Sequence, residues 1–408
     1  MTGRRGFWAL LVVEATGAVG TRVSQLAVPW LVLTDTGSPA MAGLVGTVEI
    51  APYVVMQVIG GPLVDRFGAR RTMIANNAVS GACLLVIPML SGVGHLSVAA
   101  VLVAVFVVGC SRGPADIAAR VTLPVVAEAA GTSIDRAAAL IDGAGRAALL
   151  VGAPTAGAVL AMAGGPATVM LSSVALVLAA AVAAWVPTWK SGAGKSDGVK
   201  QIAIELHEGV AYLRRQPLLR SICGMVFVCN VADAAMSGLL LLLWVRSEFG
   251  GPARAGLLLA MLAAGAVVGT VVTAAAGTRM PRRMTFACAF LLAGAPRFIV
   301  LVVPLPFAVV AAVWVVSGVA AGAINPLLGA AQYEMIAPAL QARVLGAVNA
   351  VAWLGVPFGA LVAGVAVSHL GLTTTLVCCA VAYFVTTLDP FVRSSWSGLN
   401  RVQAQQSG

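Results

Sequence analysis

Charge is scarce in this sequence. Only 10% of its 408 residues are Asp, Glu, Lys or Arg, where water-soluble domains carry roughly 25%. That shortage excludes a globule with an ordinary solvated surface. With 60% hydrophobic residues, it points to a chain whose solvent is lipid. Histidine is almost absent: His95, His207 and His369 fall in three separate connections, which argues against a histidine metal cluster. The cysteines are Cys83, Cys110, Cys223, Cys229, Cys288, Cys378 and Cys379. All lie in apolar stretches and none forms a C-x-x-C pair, so they read as packing residues, with no disulfide framework and no metal site. No H-E-x-x-H motif and no nucleophile with a base occur, so a catalytic site is not expected and the chain does not read as an enzyme.

Apolar length is what the chain has. A membrane-spanning helix needs ~20 apolar residues, and twelve such stretches are present: 7–33, 41–64, 72–93, 96–117, 139–163, 167–187, 221–244, 255–276, 284–303, 307–328, 344–367 and 372–391. Long continuous runs predict helices, because membrane barrels show short alternating strands. The expected fold is therefore an all-α membrane protein of twelve transmembrane helices. Arg4 and Arg5 precede a run too long for a signal peptide, so an uncleaved first helix is expected.

The net charge of +10 raises nucleic acid as a partner, but its distribution argues against that. With both termini placed in the cytoplasm, 19 basic residues lie inside and only Arg246 and Arg254 outside, a positive-inside bias that sets the orientation. Arg22, Arg112, Arg146 and Arg297 fall within spans. Arginine outnumbers lysine 22 to 3, which hints at a GC-rich bacterial genome.

The longest polar interruption divides the spans six and six. The expected organisation is an N-terminal six-helix bundle over 1–187, a cytoplasmic linker over 188–217, a C-terminal six-helix bundle over 218–393 and a cytoplasmic tail over 394–408. The linker starts with a flexible stretch. Gly194-Lys195-Ser196 resembles the end of a phosphate-binding loop, but Trp189 stands where that loop needs glycine. Further on, Ile202, Leu206, Val210 and Leu213 share one helical face, which predicts an amphipathic helix on the inner membrane surface. The halves echo each other: Gly152-Ala153-Pro154 matches Gly355-Val356-Pro357, and Pro114 and Pro124 match Pro326 and Pro338. Such repeats mark secondary transporters, hence pseudo-symmetric bundles. Gly265/Gly269, Gly318/Gly322 and Gly355/Gly359 suit close helix crossings.

Between the second and third spans runs G-G-P-L-V-D-R-F-G-A-R-R, from Gly60 to Arg71. Gly61, Asp65, Arg66, Gly68, Arg70 and Arg71 fill, in order and spacing, the pattern that this loop resembles: the signature of the major facilitator superfamily, with Ala69 replacing its first basic position. The loop Arg279 to Arg283 looks like a second copy without the acid. In the fifth span, Ala153 to Ala158 resembles the Gly-Pro-x-x-Gly-Gly element of the drug/proton antiporters, retaining Pro154 and Gly157. A-V-P-W-L-V at Ala27, P-Y-V-V at Pro52 and G-V-A-Y-L-R-R-Q-P-L-L-R from Gly209 are similar to the branch holding macrolide-efflux and siderophore (enterobactin) exporters. The resemblance implies a multi-pass transporter of the bacterial cytoplasmic membrane, acting as a monomer. It would export amphipathic small molecules (drug, antibiotic or siderophore-like) in exchange for protons, with no cofactor beyond the proton gradient. An uptake symporter, a facilitator or a lysophospholipid transporter of the same fold is the alternative.

Charges inside spans are the candidate site, since each costs roughly 2.5–3.5 kcal/mol at mid-membrane. Asp233 lies one turn from Asn230 in a span without a basic residue, which makes it either the proton carrier or a structural acid bonded to a neighbouring helix. Glu14 and Arg22 point within about 80° of each other on the first span. Glu49 is either a second titrating group or a side chain reaching the outer surface. The family's fold implies that Glu14, Arg22, Arg112, Asp233 and Asn325 border a central cavity, with Arg22 or Arg112 able to neutralise Asp233 or Glu14. Few aromatics are expected on the lining spans: Trp8, Trp30, Phe227, Trp244 and Trp314. Asp142 and Arg146, four apart, read as a structural ion pair. Arg297 is expected to snorkel outward. The motif loop would latch the inner side, Asp65 facing the helix that starts near Val344 and Asp116 taking Arg66 or Arg70.

Overall fold

The computed structural model describes residues 2–188, 199–276, 282–336, 341–393 and 396. Every regular element among them is helical. In chain order these are α1 (Thr2–Thr36), α2 (Pro39–Phe67), α3 (Ala69–Gly92), α4 (Val98–Ala129), α5 (Ile134–Ala183), α6 (Val199–Arg215) and α7 (Pro217–Ala235). A π-helical turn, Met236–Leu240, leads to α8 (Leu241–Phe249) and α9 (Ala253–Ala276). Then follow α10 (Arg282–Ala293), α11 (Ala295–Ile299), α12 (Phe307–Met335), α13 (Gln341–Trp353), α14 (Val356–Leu370), α15 (Leu372–Thr387) and α16 (Asp389–Val392).

Among the described residues, nine helical stretches are long and apolar enough to cross a membrane. One of them, Arg136–Ala183, runs for 48 residues and holds the fifth and sixth expected spans, with Gly164 turned out of helical geometry (φ 79, ψ 179) between them. The first expected span, α1 with its Glu14 and Arg22, is helical but is not one of the nine; nor is the ninth, which is interrupted at Gly294.

Local chemistry sets the helix ends. Ser38, Ser97 and Ser133 cap α2, α4 and α5, their hydroxyls accepting from the N–H groups of Met41, Ala100 and Arg136. Gly68 closes α2 at φ +82, a conformation that a side chain would oppose. The charged motif can therefore turn within one residue between α2 and α3.

The chain forms two compact units, Met1–Ser196 with Leu241–Ala260, and Asp197–Leu240 with Met261–Gly408. This differs from the division into sequence halves, because 241–260 pack with the first unit. Backbone contact explains it: a Cβ on Gly256 would overlap the carbonyl of Ala153, and one on Gly157 would press on Pro252 and Ala253. Arg246 adds a hydrogen bond from Nη1 to the Leu33 carbonyl, 2.9 Å.

In the first unit α1 packs on α5 and α4, α2 on α4, and α3 on α4 and α5. Two apolar clusters hold its ends. One joins Leu10, Val13, Val64, Met73, Ala118 and Val126; the other joins Val28, Val32, Val45, Leu84, Val105 and Leu176. The polar residues of these spans fall in the stretch between the two. There α2 and α4 are in backbone contact, so close that a Cβ on Gly109 would overlap the carbonyl of Glu49.

In the second unit, Gly265 and Gly269 meet the α12 backbone at Val315 and Val319, and Gly355 and Gly359 meet α7 at Val231. The echo between halves is imperfect: α5 runs through Pro154, whereas the second copy breaks at Gly355 and restarts with Pro357. The amphipathic helix forms as α6, but its Leu213 is buried against Ile336, Val344 and Val348, so α13 covers it rather than lipid. Cys223 and Cys229 are buried as packing residues, while Cys288 and Cys378 are exposed, against expectation. Gly194-Lys195-Ser196 and the tail over 397–408 lie outside the described residues.

Candidate functional site

Four helices of the first unit bring polar groups into the layer between its apolar clusters. α4 contributes Arg112 and Asp116, one turn apart on one face. Arg112 Nη2 donates to Asp116 Oδ1 at 2.9 Å, and its Nη1 donates to Asn77 Oδ1 on α3 at 3.2 Å. Asn77 is buried, and its amide also donates to the Met73 carbonyl at 2.9 Å. From α2, the Tyr53 hydroxyl donates to Asp116 Oδ2 at 3.0 Å, and Gln57 Nε2 donates to that hydroxyl at 2.9 Å. Gly17 on α1 leaves the room that the guanidinium occupies, since a Cβ there would stand 3.1 Å from Arg112 Nη1.

This network corrects one expectation. Asp116 is engaged by Arg112 and Tyr53, not by Arg66 or Arg70; Arg66 lies over the Phe67 ring at 5.4 Å. Within the unit, Arg112 is committed to Asp116 and Asn77. Tyr53, Gln57, Asn77 and Ser24 are site residues that the charge count missed. The signal was there, in polar side chains inside apolar runs, with Tyr53 and Gln57 at helical spacing.

Two acids inside the unit's apolar spans form no salt bridge among the described residues. Glu14 on α1, half-buried, makes no hydrogen bond or ion pair among the described residues, and its charged surroundings are Asp116, Arg112 and Arg120. Glu49 on α2 is 5% exposed, so it does not reach the outer surface; its contact is the Ser24 hydroxyl on α1 at 3.4 Å. Arg22 is exposed and donates to Gln25 Oε1 at 3.0 Å.

In the second unit, α7 carries Asn230 and Asp233. Asn230 Nδ2 donates to the Ala352 carbonyl of α13 at 2.9 Å, which makes it a helix tie. Asp233 Oδ1 accepts from Arg297 Nη2 at 2.5 Å. The expectation for Arg297 is thus overturned. It does not snorkel but is buried, because the acid on α7 and the Ala293 carbonyl freed at the break before α11 give it partners that the membrane surface would otherwise supply. Asn325 lies exposed on α12. Trp30, Trp244 and Trp314 are buried in helix packing and line no open surface; Trp8 is exposed.

The remaining candidates are placed as follows. Asp65, Arg66 and Arg71 are exposed and Gly61 and Arg70 half-buried around the turn. Pro154 and Gly157 sit at the α5–α9 crossing. The Asp142 side chain lies outside the described residues, and with it the expected pair to Arg146.

Comparison with known proteins agrees with this architecture. The family model of the Major Facilitator Superfamily matches residues 10–232 and 224–394. Multidrug efflux pump Tap of Mycobacterium tuberculosis is 29% identical over 388 residues, covering 93% of this chain and 92% of that protein. Its namesake in Mycolicibacterium fortuitum is 26% identical over 386 residues, covering 92% of each. Among solved structures, a point mutant of the nucleoside transporter NupG superposes with a TM-score of 0.80 at 13% identity, over 95% of this chain and 99% of that one. The unmutated NupG gives 0.74 at 12% identity, over 95% and 98%. The polar layer buried among apolar membrane helices and the match of the family model over nearly the whole chain lead to one assignment: this protein belongs to the Major Facilitator Superfamily, as a multi-pass membrane transporter and not an enzyme.

Proposed function

We propose that this chain exports amphipathic small molecules (drugs, antibiotics or siderophore-like compounds) across a bacterial cytoplasmic membrane in exchange for protons. Likeness to the Tap pumps along nearly the full length of both chains supports export. Proton coupling is carried by one observation: Glu49 is buried in a membrane span with a hydroxyl, not a cation, beside it. A bare carboxylate in such a place is costly, and holding a proton removes that cost. Glu14 stands likewise without a salt bridge, whereas Asp233 is tied to Arg297. Glu49 and Glu14 are therefore the proton sites of this proposal, and Asp233 belongs to substrate.

In this reading twelve spans form two pseudo-symmetric six-helix bundles with both termini in the cytoplasm, and the bundles rock about a central site. The linker and tail are cytoplasmic, the chain works as a monomer, and the proton gradient replaces any cofactor. Each charge moved down 100 mV supplies ~2.3 kcal/mol, about 50-fold in substrate gradient. The Asp65 loop latches the inner side, and the Pro154–Gly157 crossing closes the outer side.

The test is proton flux in energised inside-out vesicles challenged with macrolides, phenicols, cationic dyes and siderophores. Substrate-triggered proton release that Glu49→Gln or Glu14→Gln abolishes supports the exchange. No release with any compound, alongside uptake of one of them by right-side-out vesicles, would overturn export.

A further inference from the structure

The interruption of the ninth span organises a polar cluster in the second unit. Where α10 stops at Ala293, two carbonyls lose helical partners and side chains replace them. Arg297 Nε donates to Ala293 O at 2.5 Å, and Ser317 Oγ donates to Leu292 O at 2.9 Å. The Tyr383 ring occupies the space a side chain on Gly294 would need, and the fully buried Trp314 ring lies 5.8 Å from the guanidinium carbon. Arg297 is therefore held from several sides, its side chain 7% exposed. From that position it reaches Asp233 Oδ1, yet the Asp233 side chain stays 40% exposed. No described group donates to Asp233 Oδ2. A carboxylate so exposed within a span faces water or a polar ligand, because facing hydrocarbon is too costly.

We infer that Asp233 and Arg297 form a charge-balanced subsite for uncharged polar groups, the hydroxyl or amide donors of a neutral amphiphile, with Arg297 as its specificity-determining residue. The inference rests on the export reading for the identity of the ligand as a transported amphiphile. A guanidinium stays charged in a protein, so the pair has no net charge. A lipophilic cation gains little from it, since attraction to the carboxylate is offset by repulsion from the guanidinium hydrogen-bonded to its other oxygen. A neutral donor keeps the full benefit of a charged acceptor at Oδ2. Without Arg297 the same carboxylate would select cations. The backing of Arg297 by Ala293 O and Trp314 thus turns a cation site into a site for neutral ligands.

The experiment measures equilibrium binding to the purified full-length protein in lipid nanodiscs, with no gradient. The probes are tetraphenylphosphonium and a set of uncharged amphiphiles bearing hydroxyl and amide groups, chloramphenicol among them. Arg297→Gln should shift the ratio of affinities toward the cation by at least about tenfold, and Asp233→Asn, which leaves the guanidinium alone, should shift it away by a similar factor. The double variant should return the ratio to within about threefold of wild type. Loss of packing lowers both affinities together and cannot move the ratio in opposite directions. If Arg297→Gln does not fold, Asp233→Asn and the charge-keeping Arg297→Lys carry the test, the latter with an unchanged ratio. An unchanged ratio in Asp233→Asn, shifts of the same sign in both single variants, or failure of the wild type to bind any uncharged probe would each overturn the inference. Since binding is read without transport, these results are independent of whether vesicles show export.

Discussion

Arg112 and Asp116 form an ion pair at 2.9 Å along one face of α4, while Glu14 on α1 forms no salt bridge among the described residues. Their side chains are 12% and 19% exposed, so each needs the other. Removing one partner of such a pair strands a charge, while removing both does not. Asp116→Asn and Arg112→Gln should each lower the unfolding free energy by about 3 kcal/mol, and the double variant should recover most of it. Thermal unfolding in detergent, with all four proteins at equal yield, reads this cycle. Additive losses would mean that Asn77 and Tyr53, not the ion pair, hold the layer together.

Glu49→Gln keeps the shape and the Ser24 contact of the carboxyl but cannot release a proton. We expect normal yield and melting temperature, unchanged substrate binding, and loss of at least about 90% of substrate-triggered proton release, the drop expected when an essential proton acceptor is removed. Proton release at wild-type level in this variant would move the coupling to Glu14.

Arg246 caps the end of α1 through the Leu33 carbonyl, and Gly256 lets α9 meet the backbone of Ala153. Combining Arg246→Ala with Gly256→Leu should force that crossing apart. The readout is labelling of Leu33→Cys, a position only 1% exposed, by a membrane-impermeant maleimide in a background without the native cysteines. Labelling should accelerate by at least about fivefold, as a shift of roughly 1 kcal/mol in the closed population requires. Equal labelling rates would show that the crossing does not gate access at that end.

Asp65 is exposed at the end of α2 and carries no structural contact among the described residues. Asp65→Asn should therefore leave the melting temperature unchanged while slowing transport. Normal transport at normal expression would remove the latch from the mechanism.

The parts legible in the sequence were those set by local rules. Continuous apolar length announced the membrane helices, since a span must satisfy its own backbone whatever surrounds it. The motif turn was readable because one glycine at φ +82 and its flanking charges fix it locally. The Arg112–Asp116 pair was equally readable from its four-residue spacing, although Asp116 was assigned to Arg66 or Arg70 instead.

The sequence by itself determined that this is a helical membrane chain of the transporter kind, because hydropathy and the turn motif act within one or two helices. Only the tertiary structure decided which charges are neutralised. Arg297 stands 64 residues beyond Asp233 on a helix interrupted at Gly294, and Ser24 lies 25 residues before Glu49. Such partners are chosen by how helices pack and where a backbone breaks, and that depends on side-chain volumes summed over a whole unit. It also decided that residues 241–260 pack with the first unit, through glycine contacts that hydropathy does not register.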